Sequence, residues 1–220
     1  FERLRSAVGE DLNYVPLKGA PEIIRQIKTA TEVVIMRKAG AITTEAFEAV
    51  LPKIREGMTE KELQIELDFT MLKLGADTMA FDTIIASGEN GSLCHAIPGS
   101  RKLRKGDMIT MDFGAKVGGY CSDMTRTVAL GEPTAEMRKV YDTVLRAQTA
   151  AIEAVTEGAS NEGIDRVARD IIEEAGYHGK FGHGLGHGVG LEIHEAPNAN
   201  PRGETPLPAG AAVSAEPGIY

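Results

Sequence analysis

Cysteine is nearly absent: Cys94 and Cys121 are the only two in 220 residues. Two thiols are too few to staple a chain this long into a disulfide framework, and they suit a reducing compartment. Also missing is any apolar run near the roughly 18 to 20 residues that a membrane helix needs. Stretches such as Val33–Met36 and Ala209–Val213 are far shorter. Basic residues are outnumbered, 24 Lys and Arg against 32 Asp and Glu, giving a net charge of −8. That balance argues against a nucleic-acid surface, where a basic patch is expected. No secretory signal pattern stands at the start. A cytoplasmic protein with neither nucleic-acid nor membrane partners is therefore expected. The chain opens at Phe1 rather than Met, and it is read as a piece of a longer protein.

What is present is an ordinary globular pattern, with 42% hydrophobic residues and a length that allows one or two domains. Residues 1–27 lack periodicity and are punctuated by Gly9, Pro16, Gly19 and Pro21, so they read as a linker or as the tail of a preceding domain. Thr29 and Glu32 have the spacing of a capping box, followed by helical apolar spacing to about Arg55 with a bend expected at Pro52. A second capping box, Thr59 with Glu62, opens a helix that should stop at Gly75. Ala80–Ala86 reads as a strand and Ser87–Ser92 as a loop. Met108–Gly114 and Tyr120–Ala129 read as strands joined through Gly118-Gly119. Helices from about Ala135 to Glu157 and from about Glu162 to Ala175 follow, then Gly- and Pro-rich strands and turns to Tyr220. Helix, helix, strands, repeated once, predicts an α+β fold with two similar halves, although no literal sequence repeat is visible.

Three clusters carry the chemistry. Asp112 lies inside the mostly apolar run Met108–Phe113, where a free carboxylate is costly to bury. Asp123 lies on the next strand. If the chain turns about Val117-Gly118, Asp112 faces Asp123 directly, with Cβ atoms about 5 Å apart. Two such carboxylates repel unless a proton or a cation sits between them. The second cluster runs from His183 through His187 to His194 and Glu195, and it holds three of the five histidines among many glycines. Histidine is both the commonest metal ligand and the usual neutral-pH proton carrier. The third is Glu216, before a Pro-Gly turn. Carboxylates with one imidazole suit manganese, cobalt, iron or zinc without selecting one.

The strings SGENGSLCHAIPGSR (Ser87–Arg101), DFGAKVGGYCSDMTRT (Asp112–Thr127), HGLGHGVGLEIHEAP (His183–Pro197) and EPGIY (Glu216–Tyr220) together resemble the M24 peptidases. That family includes Xaa-Pro aminopeptidase, Xaa-Pro dipeptidase (prolidase), methionine aminopeptidase and creatinase. The resemblance runs from about residue 28 to the end, and the Thr-Arg-Thr at 125–127 and the long histidine string favour the Xaa-Pro branch. It implies the pita-bread fold, over a catalytic domain at 28–220, and two-metal hydrolysis of the bond between an N-terminal residue and proline. The implied metal ligands are Asp112, Asp123, His187 and Glu216, for two divalent ions, with manganese first and cobalt, zinc or iron as alternatives. His95 and His194 are the implied substrate-flanking residues, and His183 lies near the leaving group. Arg126 and His178 match no catalytic role, and Arg126 is expected to pair with an acid. The family's fifth ligand, a second Glu, lies beyond the Glu-Pro-Gly turn, so it is expected past Tyr220. This chain alone is then expected to be inactive, and the full-length protein to be a dimer acting on peptides or dipeptides with proline second. A methionine aminopeptidase, a creatinase-like hydrolase or a non-catalytic pita-bread binding module are the alternatives.

Overall fold

The computed structural model describes residues 2–9, 15, 17, 19–203 and 205–220. The tail expected at 1–27 lies partly outside the described residues, Pro16 included. Where it is described, two short helices occur, α1 (Glu2–Val8) and α2 (Ala20–Arg25, with Pro21 in its first turn). Six or seven residues are too few to display helical periodicity.

Both capping boxes form. Thr29 opens α3 (Ala30–Val50), its hydroxyl accepting from the Glu32 backbone while the Glu32 carboxylate accepts from Thr29 N–H. Thr59 and Glu62 do the same for α4 (Glu60–Lys73). The first helix stops short of Arg55. At Val50 it tightens into the 3-10 turn Leu51–Lys53, because Pro52 cannot continue an α-helical ladder. Its buried positions, Ala39, Ile42, Thr43, Ala46 and Val50, recur at helical spacing and face the sheet.

The expected strand at 80–86 is two pieces, β1 (Thr78–Met79) and β2 (Ile84–Ser87), and a 3-10 turn at Gly88–Ser92 replaces the loop. The central hairpin is β3 (Met108–Phe113), β4 (Ala115–Val117), β5 (Tyr120–Cys121) and β6 (Met124–Ala129). β2 and β6 flank β3, while β1 and β5 flank β4, all antiparallel. The hairpin steps at Gly114, where an added Cβ would stand 2.0 Å from the Ser122 carbonyl oxygen. The neighbouring strand breaks at the same level, between β1 and β2. Ile109, Met111 and Phe113 point into the core beneath α3 and α4, so Thr110 and Asp112 point to the other face.

The second half repeats the order. α5 (Ala135–Ala154), capped by Thr134, ends at the extended Val155 rather than at Glu157, and α6 (Asn161–Glu174) is capped by Ser160. Ala147, Ala151, Ile164, Ala168 and Ile172 pack with Phe181 and Leu185 in a second core. Strands β7 (Gly186–Gly188) and β8 (Glu195–Ala199) pair antiparallel. The segment 212–216 lies along the other edge of β7, with Ser214 N–H donating to the His187 carbonyl and Glu216 N–H to that of Leu185. Among the described residues no helix is long and apolar enough to cross a membrane.

Candidate metal centre

The hairpin register differs from expectation. Asp112 pairs with Thr125, Phe113 with Met124 and Lys116 with Cys121, so Asp123 falls opposite Gly114 and not opposite Asp112. The turn is centred on Gly118-Gly119, both in left-handed conformation (φ +54° and +87°), as a two-residue hairpin turn requires. The shift is two residues, one full side-chain period, so Asp123 stays on the face of Asp112 as its diagonal neighbour.

His187 approaches from β7. Its Nε2 is 3.5 Å from Asp123 Oδ2 and 3.3 Å from Glu216 Oε1, and its Nδ1 is 3.0 Å from the Gly188 carbonyl oxygen. A carbonyl can only accept, which assigns the proton to Nδ1 and leaves the Nε2 lone pair facing two carboxylates. Donor atoms of Asp123, His187 and Glu216 all lie within 4.8 Å of one another. Asp112 stands just outside this trio, but its charge acts on Asp123, and that of Glu216 acts on both. Val213 and Ala215 pack into the second core, which turns the alternate residue Glu216 toward His187 and Asp123.

This is a concentration of acceptors with too few donors. Asp112 Oδ1 and Glu216 Oε1 are buried and have no hydrogen-bond partner. Burial, then the Glu216 charge, pushes Asp112 up to about 7, against a lowering hydrogen bond from Thr125. Burial, then Glu216 and Asp112, pushes Asp123 up to about 8. A cation would satisfy the orphaned oxygens and the imidazole lone pair together, so the residues present fit a divalent metal.

The other histidines surround this cluster. The His194 ring is 4.3 Å from that of His187, and its pKa is lowered by burial and then by His187. His95 is exposed and close enough for its charge to act on His194. The loop before it is held by the buried Glu60, which accepts from Ser87 N–H, the Ser87 hydroxyl and the Asn90 amide. His183 stands outside the trio. Its Nδ1 donates to the Gly184 carbonyl, so its Nε2 accepts from the Tyr220 hydroxyl at 3.3 Å. Arg126, expected to pair with an acid, donates instead to the Thr125 carbonyl.

The sequence profile described as Metallopeptidase family M24 matches residues 34–220. The chain belongs to this family. The M24 chain is 43% identical over 197 residues to a Xaa-Pro dipeptidase of Pyrococcus furiosus, covering 90% of this chain and 57% of that protein. It is 40% identical over 215 residues to an uncharacterised peptidase of Bacillus subtilis, covering 98% and 61%. Among solved structures, an X-Pro aminopeptidase of Thermotoga maritima superposes with a TM-score of 0.96 at 41% identity, over 100% of this chain and 62% of that one. A Xaa-Pro dipeptidase of Bacillus anthracis gives 0.95 at 44%, over 98% and 60%. Those structures have the fold expected from the sequence, two helix-helix-strand halves of pita-bread type. The M24 chain thus spans about three-fifths of the length of these relatives.

Several residues that shape the site carry no signature in the sequence. Tyr220 reaches His183, and its hydroxyl is pushed up to about 12 by burial and then by the charges of Cys94, Asp112 and Glu216. Asp165 and Arg169, one helical turn apart on α6, together bind Leu185 N–H and the carbonyls of Phe181 and His183. Their i, i+4 spacing was visible, but the loop that they clamp was not.

The raised carboxyls have a testable consequence for stability. A carboxyl that binds its proton more tightly in the folded state than in the unfolded one, where its pKa is about 4, favours folding at low pH. That contribution is lost as pH rises toward the folded values of about 7 for Asp112 and about 8 for Asp123. In EDTA, the part of the stability due to these groups should therefore fall as pH rises through this window. A divalent cation such as Mn²⁺ would bind the ionised form, so its protection should grow with pH. Melting temperatures with and without Mn²⁺ should diverge between about pH 5 and about pH 8. A gap that narrows over that range would contradict the assignment.

Proposed function

We propose that the protein is a metal-dependent exopeptidase that hydrolyses the bond between an N-terminal residue and proline. The observation that carries this reading is the pair of carboxylates, Asp123 and Glu216, around the bare Nε2 of His187, with the buried Asp112 beside them. These four side chains would hold the metal. The activities for which the two Xaa-Pro dipeptidases and the X-Pro aminopeptidase are named supply the substrate class. We take manganese as the working ion, with cobalt, zinc or iron able to use the same ligands. When bound, the ions supply Lewis acidity toward a carbonyl oxygen and make water acidic enough to act as a nucleophile near neutral pH.

The chain's own residues would do the rest. His194, with its pKa lowered, is neutral at working pH and offers one N–H to the scissile carbonyl beside His187. His95, facing it, can flank the same substrate atoms. His183 has its Nε2 occupied by Tyr220, so its part is to fix that hydroxyl rather than to donate into the cleft. Two free thiols, Cys94 exposed and Cys121 buried, support a reducing compartment such as the cytoplasm.

The bond before proline is a tertiary amide with no N–H. A cleft that offers no acceptor there accepts proline, whereas an acceptor left unpaired costs about 1 to 3 kcal/mol. The test is hydrolysis of Ala-Pro and Ala-Ala peptides by the Mn²⁺-loaded full-length protein. Proline should be preferred in kcat/KM by roughly tenfold or more. Equal or faster cleavage of Met-Ala peptides would move the protein to the methionine aminopeptidase branch, and conversion of creatine to sarcosine and urea would remove it from the peptidases.

A further inference from the structure

The turn between β7 and β8 carries His194, and a buried ion cluster closes it from behind. Glu195, whose side chain is 7% exposed, accepts from Lys28 Nζ at 2.5 Å and from Arg25 Nη2 at 2.8 Å. The Lys28 side chain is 2% exposed, so its ammonium depends on this carboxylate as its counter-charge. Lys28 is itself fixed, with its N–H donating to the Gly210 carbonyl and its ammonium also donating to the Gln26 carbonyl. Ile27 bridges to Ala211, at the start of the segment that leads to Glu216. The segment ahead of α3 is therefore tied to both sides of the candidate centre.

The turn is shaped around the same carboxylate. A Cβ on Gly190 would stand 2.4 Å from Glu195 Oε1 and 2.7 Å from its Cδ. The end of a glutamate side chain could ordinarily move aside, but here Lys28 and Arg25 hold it. Gly190 N–H donates to the Glu192 carbonyl, and Cys121 N–H donates to the Gly190 carbonyl, which ties the turn back to β5. Gly190, Leu191 and Glu192 are thus placed against either Glu195 or the central hairpin, and His194 is the residue next to Glu195.

We propose that Glu195, neutralised by Lys28 and Arg25, is a positioning residue that sets where His194 stands over the candidate metal centre. The inference rests on the proposed function only for what His194 does there. A displacement of about 1 Å in a substrate-orienting group can cost on the order of 10²-fold in rate.

The test is a double-mutant cycle in the full-length protein loaded with Mn²⁺ and assayed on Ala-Pro. Glu195→Gln should lower kcat by roughly 10- to 100-fold when His194 is present, with the metal content unchanged. In a His194→Ala background the same change should have almost no further effect, because the residue it positions is gone. A merely structural Glu195 would lower activity by the same factor in both backgrounds, and that result overturns the proposal. If Glu195→Gln does not fold, the paired change Lys28→Met with Glu195→Met removes both buried charges together, and it should show the same coupling. An activity-free measurement separates this proposal from the functional one. In metal-free, histidine-labelled protein, the ring resonances of His194 should shift or broaden on Glu195→Gln, while those of His178, exposed beyond α6, stay in place. If the unmutated protein fails to cleave Ala-Pro, the functional reading falls and this spectrum decides the positioning role. An unmoved His194 signal rejects it.

Discussion

Asp123→Asn is expected to cost the protein its metal and its turnover together, while making the metal-free fold more stable. Asp123 has its oxygen 3.5 Å from His187 Nε2 and feels the charges of Glu216 and Asp112. With a cation present, those like charges are what make the site bind. Replacing one carboxylate by a neutral amide removes a ligand and part of the negative field at once. Lewis-acid stabilisation is worth several kcal/mol, and about 1.4 kcal/mol is tenfold, so kcat/KM should fall by about 10³-fold or more. Without a cation the same charges are a liability, since burial and mutual repulsion push Asp123 up to about 8. An asparagine there can donate from its amide to the bare Nε2 of His187 and removes the share of the repulsion that Asp123 contributes. The melting temperature in EDTA should rise at about pH 8, and the Mn²⁺-induced gain should shrink. Elemental analysis and thermal melts read the two effects separately. A variant that keeps its full metal content would remove Asp123 from the ligand set.

How much of this could be read before the structure depends on how local each signal is. The capping boxes at Thr29 and Thr59 involve partners three residues apart, and both form as their spacing suggests. The hairpin was legible in outline, but its register slipped by two residues because the turn was set about Val117-Gly118. Gly118-Gly119 as the two central turn residues would have placed Asp112 opposite Thr125 from the outset, which is the observed pairing. The error did not move Asp123 to the other face, since the slip equals one side-chain period. The break between β1 and β2 was not legible, because it answers a step at Gly114 in a strand some thirty residues later.

Burial of charge was the least legible feature. Glu60 looks like one more acid in the first turn of a capped helix, yet it is fully buried and holds the loop that carries His95. Its partners at Ser87 and Asn90 are 27 and 30 residues away. Glu195 is held by Arg25 and Lys28, which are 170 and 167 residues distant. No period or spacing carries a pairing of that range. The histidine string marks the region where His187 meets Asp123 and Glu216, because glycines at 184, 186, 188 and 190 let backbone and side chains approach where a Cβ would collide. Spacing alone does not separate His183, turned toward Tyr220, from His187, turned toward the acids; only the family resemblance assigns them different roles.

His194→Ala should separate chemistry from metal binding, with the opposite signature to Asp123→Asn. The His194 ring packs against that of His187 at 4.3 Å between centroids, but the compact trio of donor atoms is Asp123, His187 and Glu216. Removing His194 therefore deletes no carboxylate and leaves the Nδ1–H of His187 on the Gly188 carbonyl, so the Nε2 lone pair keeps its direction. Metal content should stay at the wild-type value. Turnover on Ala-Pro should drop by about 10²- to 10⁴-fold if the imidazole assists the carbonyl or a proton transfer. The loss should fall mainly on kcat, because an N–H aimed at the reacting oxygen gains strength as charge develops there. A comparable rise in KM with kcat preserved would make His194 a binding residue for the ground state instead. Loss of metal on this substitution would place it inside the ligand set, and unchanged turnover would leave it outside the chemistry. His95→Ala, on the exposed side of the same pair, provides the comparison. If both histidines act on one substrate oxygen as a unit, the double variant should lose less than the product of the two single losses, since removing one already forfeits what the other contributes.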